Sequence, residues 1–467
     1  MSPGSTGRPS AVRPLSPLNS AAKYSGRPRS PAPVPQRRTA VPTPAAALDL
    51  LGAAYREDTP QTAALEAALR RQDTMAESLA AMERAARPAH FFARETRPLG
   101  ALLGDRLTLS PTRVEQYYRC RFSYFLQYVL RIRPRRRAEL SPLESGSLVH
   151  YILEHVMRRA DAEFPRLAPE ELARLAGEVA DQYVAENMPA AGRRFAYLVE
   201  RLKRGVTRLL AYLQAEQAQS LFHPAAFEQE IGTGEGAVPP LTLRTPDGRT
   251  VQVQGKIDRV DVMEREGRTY LRVVDYKTGN KAFNLDEVYC GLNTQMLLYL
   301  FTLRSNAAQV YKNPVAAGVL YLAGDPVLKT GSRAEAAAAP VYKVDGLVLN
   351  DELVVRGMDR DATGMFVPFA FGKDGAPRAS AKLASLEKLG NIEKHLDALV
   401  VEMARGLYAG EIDAVPLRTA AHCPCDVCDY RPVCLHEDGR GETSVQAPKD
   451  VFETRADACK AQGEGNI

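Results

Sequence analysis

The strongest constraint on this 467-residue chain is the stretch from Gly255 to Lys277. Val251-Gln252-Val253-Gln254 leads in with strict alternation, Glu264 to Arg268 is polar and ends in Glu-Gly-Arg, and Tyr270 to Val274 is rich in β-branched and aromatic residues. That pattern predicts a β-hairpin. One arm carries Asp258 and the other ends in Asp275-Tyr276-Lys277. Positions i and i+2 of a strand share a face, so Asp275 and Lys277 project side by side, with Asp258 able to face them from the partner strand. Two carboxylates beside an ammonium make an oxygen-rich site that suits Mg²⁺ or Mn²⁺ and leaves room for water and a phosphate oxygen, the ingredients of phosphate hydrolysis. The competing reading is a cross-strand salt bridge on a solvated hairpin. Val273 and Val274 run straight into Asp275, which argues instead for charges at the end of a buried strand.

Other motifs surround this one. Ser110-Pro111 is a helix start, and the helix beginning there carries Tyr117, Tyr118, Phe122, Tyr124, Phe125 and Tyr128 around Cys120, as core packing or as a base-stacking platform. In the next helix Gly146, His150 and Glu154 share one face, while Leu148, Ile152 and Val156 share another. A glycine one turn before the histidine lets another backbone approach closely, and a neutral imidazole can serve beside two carboxylates as a metal ligand. Phe227 to Ile231 reads as a strand feeding the sheet, on which Glu228 or Glu230 could join the acidic cluster, the preferred reading being a solvated strand edge. Gln295 and Tyr299 share a helix face, Val315 to Leu322 reads as a buried strand, and Ala381 to Gly406 as a long helix.

Cys423-Pro-Cys425-Asp-Val-Cys428 and Cys434 form a thiolate cluster with a C-x2-C core, which binds Zn²⁺ or an iron–sulfur cluster. With His422 and His436 it could close a tetrahedral zinc site locally. Cys290 and Cys459 have no such company and read as plain thiols.

Gly-x-Ile-Asp at 255–258 followed by Val-Val-Asp-Tyr-Lys-Thr at 273–278 resembles the metal-binding core of PD-(D/E)xK nucleases of the RecB type. The Ser110–Cys120 segment, Gly146–His150, Gln295 with Tyr299, and Cys425, Cys428 and Cys434 come in the order seen in the nuclease region of AddB-like subunits of AddAB helicase-nucleases, over roughly residues 100 to 440. The resemblance implies an α/β fold, a restriction-endonuclease-like core with a small mixed sheet flanked by helices, a helical insert and a cysteine-tied closing segment. It implies that His150, Asp258, Asp275 and the main-chain carbonyl of Tyr276 hold Mg²⁺ (or Mn²⁺), with Lys277 steering the attacking water. Gln295 and Tyr299 are then expected to position the phosphate or the lysine. Cys120, Cys425, Cys428 and Cys434 are expected to hold a [4Fe–4S] cluster, leaving Cys423 as an extra and the zinc alternative open. The implied activity is metal-dependent DNA exonuclease action yielding 5′-phosphate and 3′-hydroxyl, with DNA and an AddA-like motor subunit as partners in double-strand break repair. A stand-alone Cas4-like exonuclease and a catalytically silent DNA-end-binding subunit are the alternatives.

Charge distribution adds less than the total suggests. Residues 1–48 hold seven of the 61 basic side chains and none of the 56 acidic ones, so the rest is close to neutral and DNA binding cannot be read from the net charge of +5. The run Arg131-Ile-Arg-Pro-Arg-Arg-Arg137 is a local basic patch, either phosphate-contacting or a solvated linker. Residues 1–48 also contain 10 of the 32 prolines and read as a disordered tail. Residues 49–100 read as helices that pack on the downstream chain or link it to an upstream region, 101–440 as the nuclease region with a helical insert at about 160–222, and 441–467 as a flexible tail. Free-looking thiols, no run of about 18 apolar residues and no signal segment lead us to expect a cytoplasmic location away from membranes. Gly-x4-Gly-Lys-Ser/Thr does not occur, so this stretch carries no nucleotide-binding loop of that kind; the expectation is a truncated subunit or a free-standing nuclease.

Overall fold

The computed structural model describes residues 43–55, 59–86, 99–133, 142–187, 193–277, 282–326, 342–419, 423–434, 436–437, 441–444, 447–448 and 451–453. The chain divides into two compact units, one ending at Arg87 and the other beginning at Pro88.

The first unit contains α1 (Pro44–Ala53), α2 (Pro60–Leu69) and α3 (Ala76–Ala86). Thr43 caps α1 by accepting from the Ala46 amide, and Thr59 with Thr62 forms a capping box for α2. Ala47, Leu51, Leu69 and Leu79 close a small core of their own. The helices therefore carry an internal core, and helix begins at Pro44, inside the stretch expected to be tail. The rest of that tail lies outside the described residues.

The second unit runs through α4 (Gly100–Leu103), β1 (Arg106–Leu109), α5 (Pro111–Arg119), α6 (Arg121–Tyr124), α7 (Pro142–Ala160), α8 (Pro169–Asn187) and α9 (Arg193–Gln219). It continues with β2 (His223–Ile231), β3 (Leu241–Arg244), β4 (Thr250–Val253), β5 (Gly255–Arg265), β6 (Arg268–Lys277), α10 (Leu285–Tyr289), α11 (Gln295–Asn306), β7 (Pro314–Pro326), β8 (Tyr342–Leu349), β9 (Leu383–Ala384) and the helix Leu386–Ala409. Six strands form a mixed sheet in the order β2-β5-β6-β7-β8-β9, with β6–β7 and β8–β9 parallel. The α7–α9 helices and α11 flank it, so the expected α/β architecture with a helical insert is what the chain adopts.

The hairpin β5–β6 turns through Glu266-Gly267, both at positive φ (53° and 72°), the geometry that matches the twist of paired strands. Its alternating lead-in goes elsewhere. Val251 and Val253 belong to β4, which pairs parallel with β1 and antiparallel with β3 in a separate sheet. Alternation shows that a segment is a half-buried strand but not which strand it joins.

Two further expectations change. The aromatic segment is not one continuous helix: at Cys120 the backbone is extended (φ −169°, ψ 117°), so α5 stops and α6 restarts. Tyr117, Phe122 and Tyr124 are buried, and Tyr117 meets Tyr118 and Tyr124 edge-on, which is core packing. The stretch after 440 is in part docked: Phe452 is buried, its carbonyl accepts from the Asn391 side chain, and Thr443 donates its amide to Pro416 O. Among the described residues no helix is long and apolar enough to cross a membrane.

Candidate active site and cysteine centre

The end of the β5–β6 hairpin meets α7 at a cleft of about 480 Å³ lined by Gly146, His150, Glu154, Glu228, Lys256, Asp258, Tyr276 and Lys277, among others. The helix register explains its first wall. Ile152 and Val156 on α7 are fully buried in the core, which turns Gly146, His150 and Glu154 outward to the cleft. Among the described residues, the helix's own backbone aside, no atom comes within 4 Å of a Cβ built on Gly146, so the expected close backbone approach is not seen there. A close approach of a different kind occurs at Gly255, where a side chain packs on the glycine and a Cβ would collide with the Tyr299 hydroxyl.

His150 lies between two acceptors. Its Nε2 donates to Tyr276 O at 2.9 Å and its Nδ1 lies 3.4 Å from Asp258 Oδ2. Asp258 Oδ2 also accepts from the Tyr276 amide at 3.3 Å. Burial alone would lower the imidazole pKa, but the hydrogen bond and charge of Asp258, the Tyr276 carbonyl and the charge of Asp275 outweigh it and hold it at about 9. Because the folded value lies above the ordinary 6.5, this contribution to stability is complete below pH 6.5 and is lost as pH rises through about 9. Thermal unfolding in EDTA is expected to show a falling midpoint across that window, and His150→Ala to flatten the slope. A wild-type profile already flat there would refute the assignment.

One member of the site takes the weaker of its two sequence readings: Glu228 joins the acidic cluster and does not lie on a solvated edge. Glu228 lies between the pairs Phe227–Arg259 and Gln229–Ile257, across from Asp258, and its backbone has φ +50°. Its carboxylate and the His150 and Asp258 ligand atoms all fall within 4.8 Å of one another. The expected solvated strand edge is therefore a wall of the cleft, with Lys256 paired to Glu228 at 2.7 Å. A left-handed backbone at a non-glycine residue is stored strain of a kind that clusters at functional positions. Only the strand register decides between the two readings.

Asp275 is 3% exposed, and Lys277 Nζ donates to its Oδ1 at 2.8 Å. The tight donor group therefore comprises His150, Asp258 and Glu228, with Asp275 engaged by the lysine next to it. Imidazole and carboxylate donors on the wall of an open cleft fit a divalent cation that retains waters.

Gln295 and Tyr299, on α11, are not among the cleft's lining residues. Tyr299 accepts from the Lys256 amide at 3.3 Å and interacts with the Gln295 side chain, and burial pushes its hydroxyl up to about 12. The pair thus fixes the start of β5 from behind. Glu115 of α5, to which the sequence reading gave no role of its own, caps α11 by accepting the Thr294 and Gln295 amides at 2.9 and 3.2 Å.

Cys120, Cys425, Cys428 and Cys434 line one cavity of about 250 Å³ beside Phe122 and Tyr430. Burial pushes the Cys120 thiol up to about 11 and raises that of Cys434. The break at Cys120 is held to this segment by Phe122 N to Asp413 O, Leu417 N to Arg119 O and the Tyr430 hydroxyl to Ile132 O. A pocket walled by four sulfurs fits an iron–sulfur cluster. A second grouping overlaps it: Cys423, Cys425 and His436 have ligand atoms within 4.8 Å of one another. His422, Cys459 and Arg135–Arg137 lie outside the described residues.

Residues 108–435 match the sequence profile of the PD-(D/E)XK nuclease superfamily. The chain is 31% identical over 368 residues to the B-type subunit of the ATP-dependent helicase/deoxyribonuclease of Clostridium acetobutylicum, covering 75% of this chain and 32% of that protein. It is 30% identical to the subunit of the same name from Acetivibrio thermocellus (78% and 33%) and 33% identical to that from Desulforudis audaxviator (72% and 30%). The chain thus spans about a third of the length of these curated relatives. A profile match over more than half of the sequence, running from the strand before Ser110 to the last cysteine of the cavity, shows that the chain belongs to the PD-(D/E)XK nuclease superfamily.

Proposed function

We propose that the chain hydrolyses DNA phosphodiester bonds from an end, as the nuclease region of an AddB-like helicase-nuclease subunit that works with an AddA-like motor in double-strand break repair. The observation that carries this reading is the meeting of His150, Asp258 and Glu228 beside the Asp275–Lys277 pair in an open cleft. Asp258, His150, Asp275 and the Tyr276 carbonyl, joined by Glu228, would hold Mg²⁺ or Mn²⁺. Such an ion, when bound, polarises the phosphoryl oxygen and lowers the pKa of a bound water.

The remaining work belongs to the chain's own side chains. Lys277, aimed by Asp275, orients the attacking water and offsets negative charge growing on the phosphate. Gln295 and Tyr299 support it by fixing the Gly255–Lys256 backbone that carries Asp258. Attack by water displaces the 3′-oxygen, which leaves a 5′-phosphate and a 3′-hydroxyl. The region doing this corresponds to residues 101–440, in a cytoplasmic protein.

Cys120, Cys425, Cys428 and Cys434 would hold a [4Fe–4S] cluster that ties together segments about 300 residues apart and shapes the DNA-facing end. Closing so long a loop stabilises the fold by restricting the unfolded chain.

The test is anaerobic purification with iron and sulfide analysis, together with digestion of end-labelled linear DNA with and without Mg²⁺ and with and without a motor subunit. About four iron and four sulfide per chain and Mg²⁺-dependent cleavage are expected. Absence of cleavage under every condition would overturn the nuclease reading, and absence of iron the cluster.

A further inference from the structure

We propose that Cys423, Cys425 and His436 form a separate site for one thiophilic divalent ion of the Zn²⁺ type, sharing Cys425 with the four-cysteine cavity and filling when that cavity is empty. The three ligand atoms lie within 4.8 Å of one another, and the residues are only 0%, 8% and 5% exposed. A tetrahedral zinc ion with two thiolates and an imidazole places its ligand atoms about 3.5–3.8 Å apart. The existing spacing is thus within about 1 Å of what such an ion requires.

The surroundings supply what a metal-binding histidine needs. Glu442 Oε1 lies 3.2 Å from His436 Nε2, a carboxylate partner that orients the imidazole. Arg418 holds the same carboxylate, Nη2 to Oε1 at 2.9 Å, so the orienting group is itself fixed. Cys423 Sγ lies 3.8 Å from that oxygen. Cys423 is the N-terminal flank of the short helical turn Pro424–Val427, and the Cys-x-Cys spacing brings its thiol against that of Cys425.

The two uses of Cys425 exclude each other. Cys120, Cys428 and Cys434 line the cavity with Cys425 and His436, whereas Cys423 is not part of its lining, so the triad sits at the cavity's edge and is distinguished from it by Cys423. One terminal thiolate cannot complete both sets, so loss of the cluster frees Cys425 for the smaller site. The triad does not depend on the iron–sulfur reading: a chain holding zinc and no iron would end that reading and leave the zinc site intact.

The experiment uses the full chain carrying Cys120→Ala, which removes a cavity ligand remote in sequence from the triad. Zinc content is measured by mass spectrometry and zinc affinity by competition with a chromophoric chelator. About one zinc per chain is expected. Adding Cys423→Ala or His436→Ala should weaken zinc binding at least about tenfold, Glu442→Gln should weaken it by about tenfold, and adding Cys434→Ala should leave it unchanged. Zinc that survives loss of Cys423 and His436, zinc that requires Cys434, or no stoichiometric zinc overturns the proposal. If the variants fail to fold, Co²⁺ added to the metal-stripped unsubstituted chain gives the same reading. A tetrahedral spectrum with two-thiolate charge-transfer intensity supports the triad, and four-thiolate intensity or no tetrahedral spectrum overturns it.

Discussion

Replacing Lys277 with alanine is expected to lower Mg²⁺-dependent DNA cleavage about 10³-fold while leaving the protein folded. Lys277 is the last residue of β6, its side chain is 28% exposed, and its ion pair is with Asp275 at 2.7 Å. Little packing depends on it, but the 3% exposed Asp275 loses this ion partner with it, so the variant is also expected to lose some stability and its folding is checked by circular dichroism. What it supplies is a positive charge held at the mouth of the cleft, one strand position from Tyr276, whose carbonyl contacts His150. The loss should therefore fall on the chemical step and not on DNA affinity, and single-turnover kinetics at saturating enzyme separate the two. Lys277→Arg keeps the charge but not the compact ammonium beside Asp275, and is expected to recover only part of the rate. Cleavage by the alanine variant within about fivefold of wild type would remove Lys277 from the mechanism.

Asp261→Ala is expected to destabilise the fold by about 3–5 kcal/mol, read as a lowered midpoint in urea unfolding. Asp261, Arg259 and Arg272 are each 0% exposed, and Glu216 of α9 is 6% exposed. Arg259 Nε and Nη2 donate to Asp261 at 2.6 and 2.7 Å, Arg272 Nε donates to Asp261 Oδ2 at 2.9 Å, and Arg272 Nη2 donates to Glu216 Oε1 at 2.7 Å. Burial would raise the Asp261 carboxyl, but the two guanidinium groups overcome it and hold its pKa below the ordinary range. Without Asp261 two arginines face one remaining carboxylate in the interior, and an uncompensated buried charge costs far more than a surface pair contributes. The network also reaches the site: Arg259 Nη1 donates to the Tyr276 hydroxyl at 3.0 Å, behind the carbonyl that meets His150. A change below about 1 kcal/mol would show that the network is dispensable.

This network illustrates what could not be read in advance. Asp261 and Arg272 occupy positions that in a hairpin sequence look like a solvated face, because charge in a strand reads as exposure. It is α9, more than 40 residues upstream of Asp261, that brings Glu216 over them and buries the set. Glu228 is open to either reading in the sequence, solvated edge or acidic cluster, and its pairing opposite Asp258 and its left-handed backbone decide for the cluster. Val251–Gln254 reads as an arm of the hairpin because alternation specifies a face and not a partner; pairing with β1 sends it to another sheet.

Short-range spacing along the chain was enough to mark out the first chemistry-bearing residues. Asp275 and Lys277 share a face because strand side chains repeat every two residues, and His150 faces the cleft because a helix repeats every 3.6. The Cys425–Cys428 pair advertises metal for the same local reason. The grouping of Cys120 with Cys425, Cys428 and Cys434 came from family resemblance and not from spacing, whereas tertiary packing decided that Glu228 stands with His150 and Asp258, that Glu115 caps α11, and that His436 is the histidine beside Cys423. Those contacts depend on strand register and helix packing, which are set by burial of the whole core and leave no periodic trace in the residues they bring together.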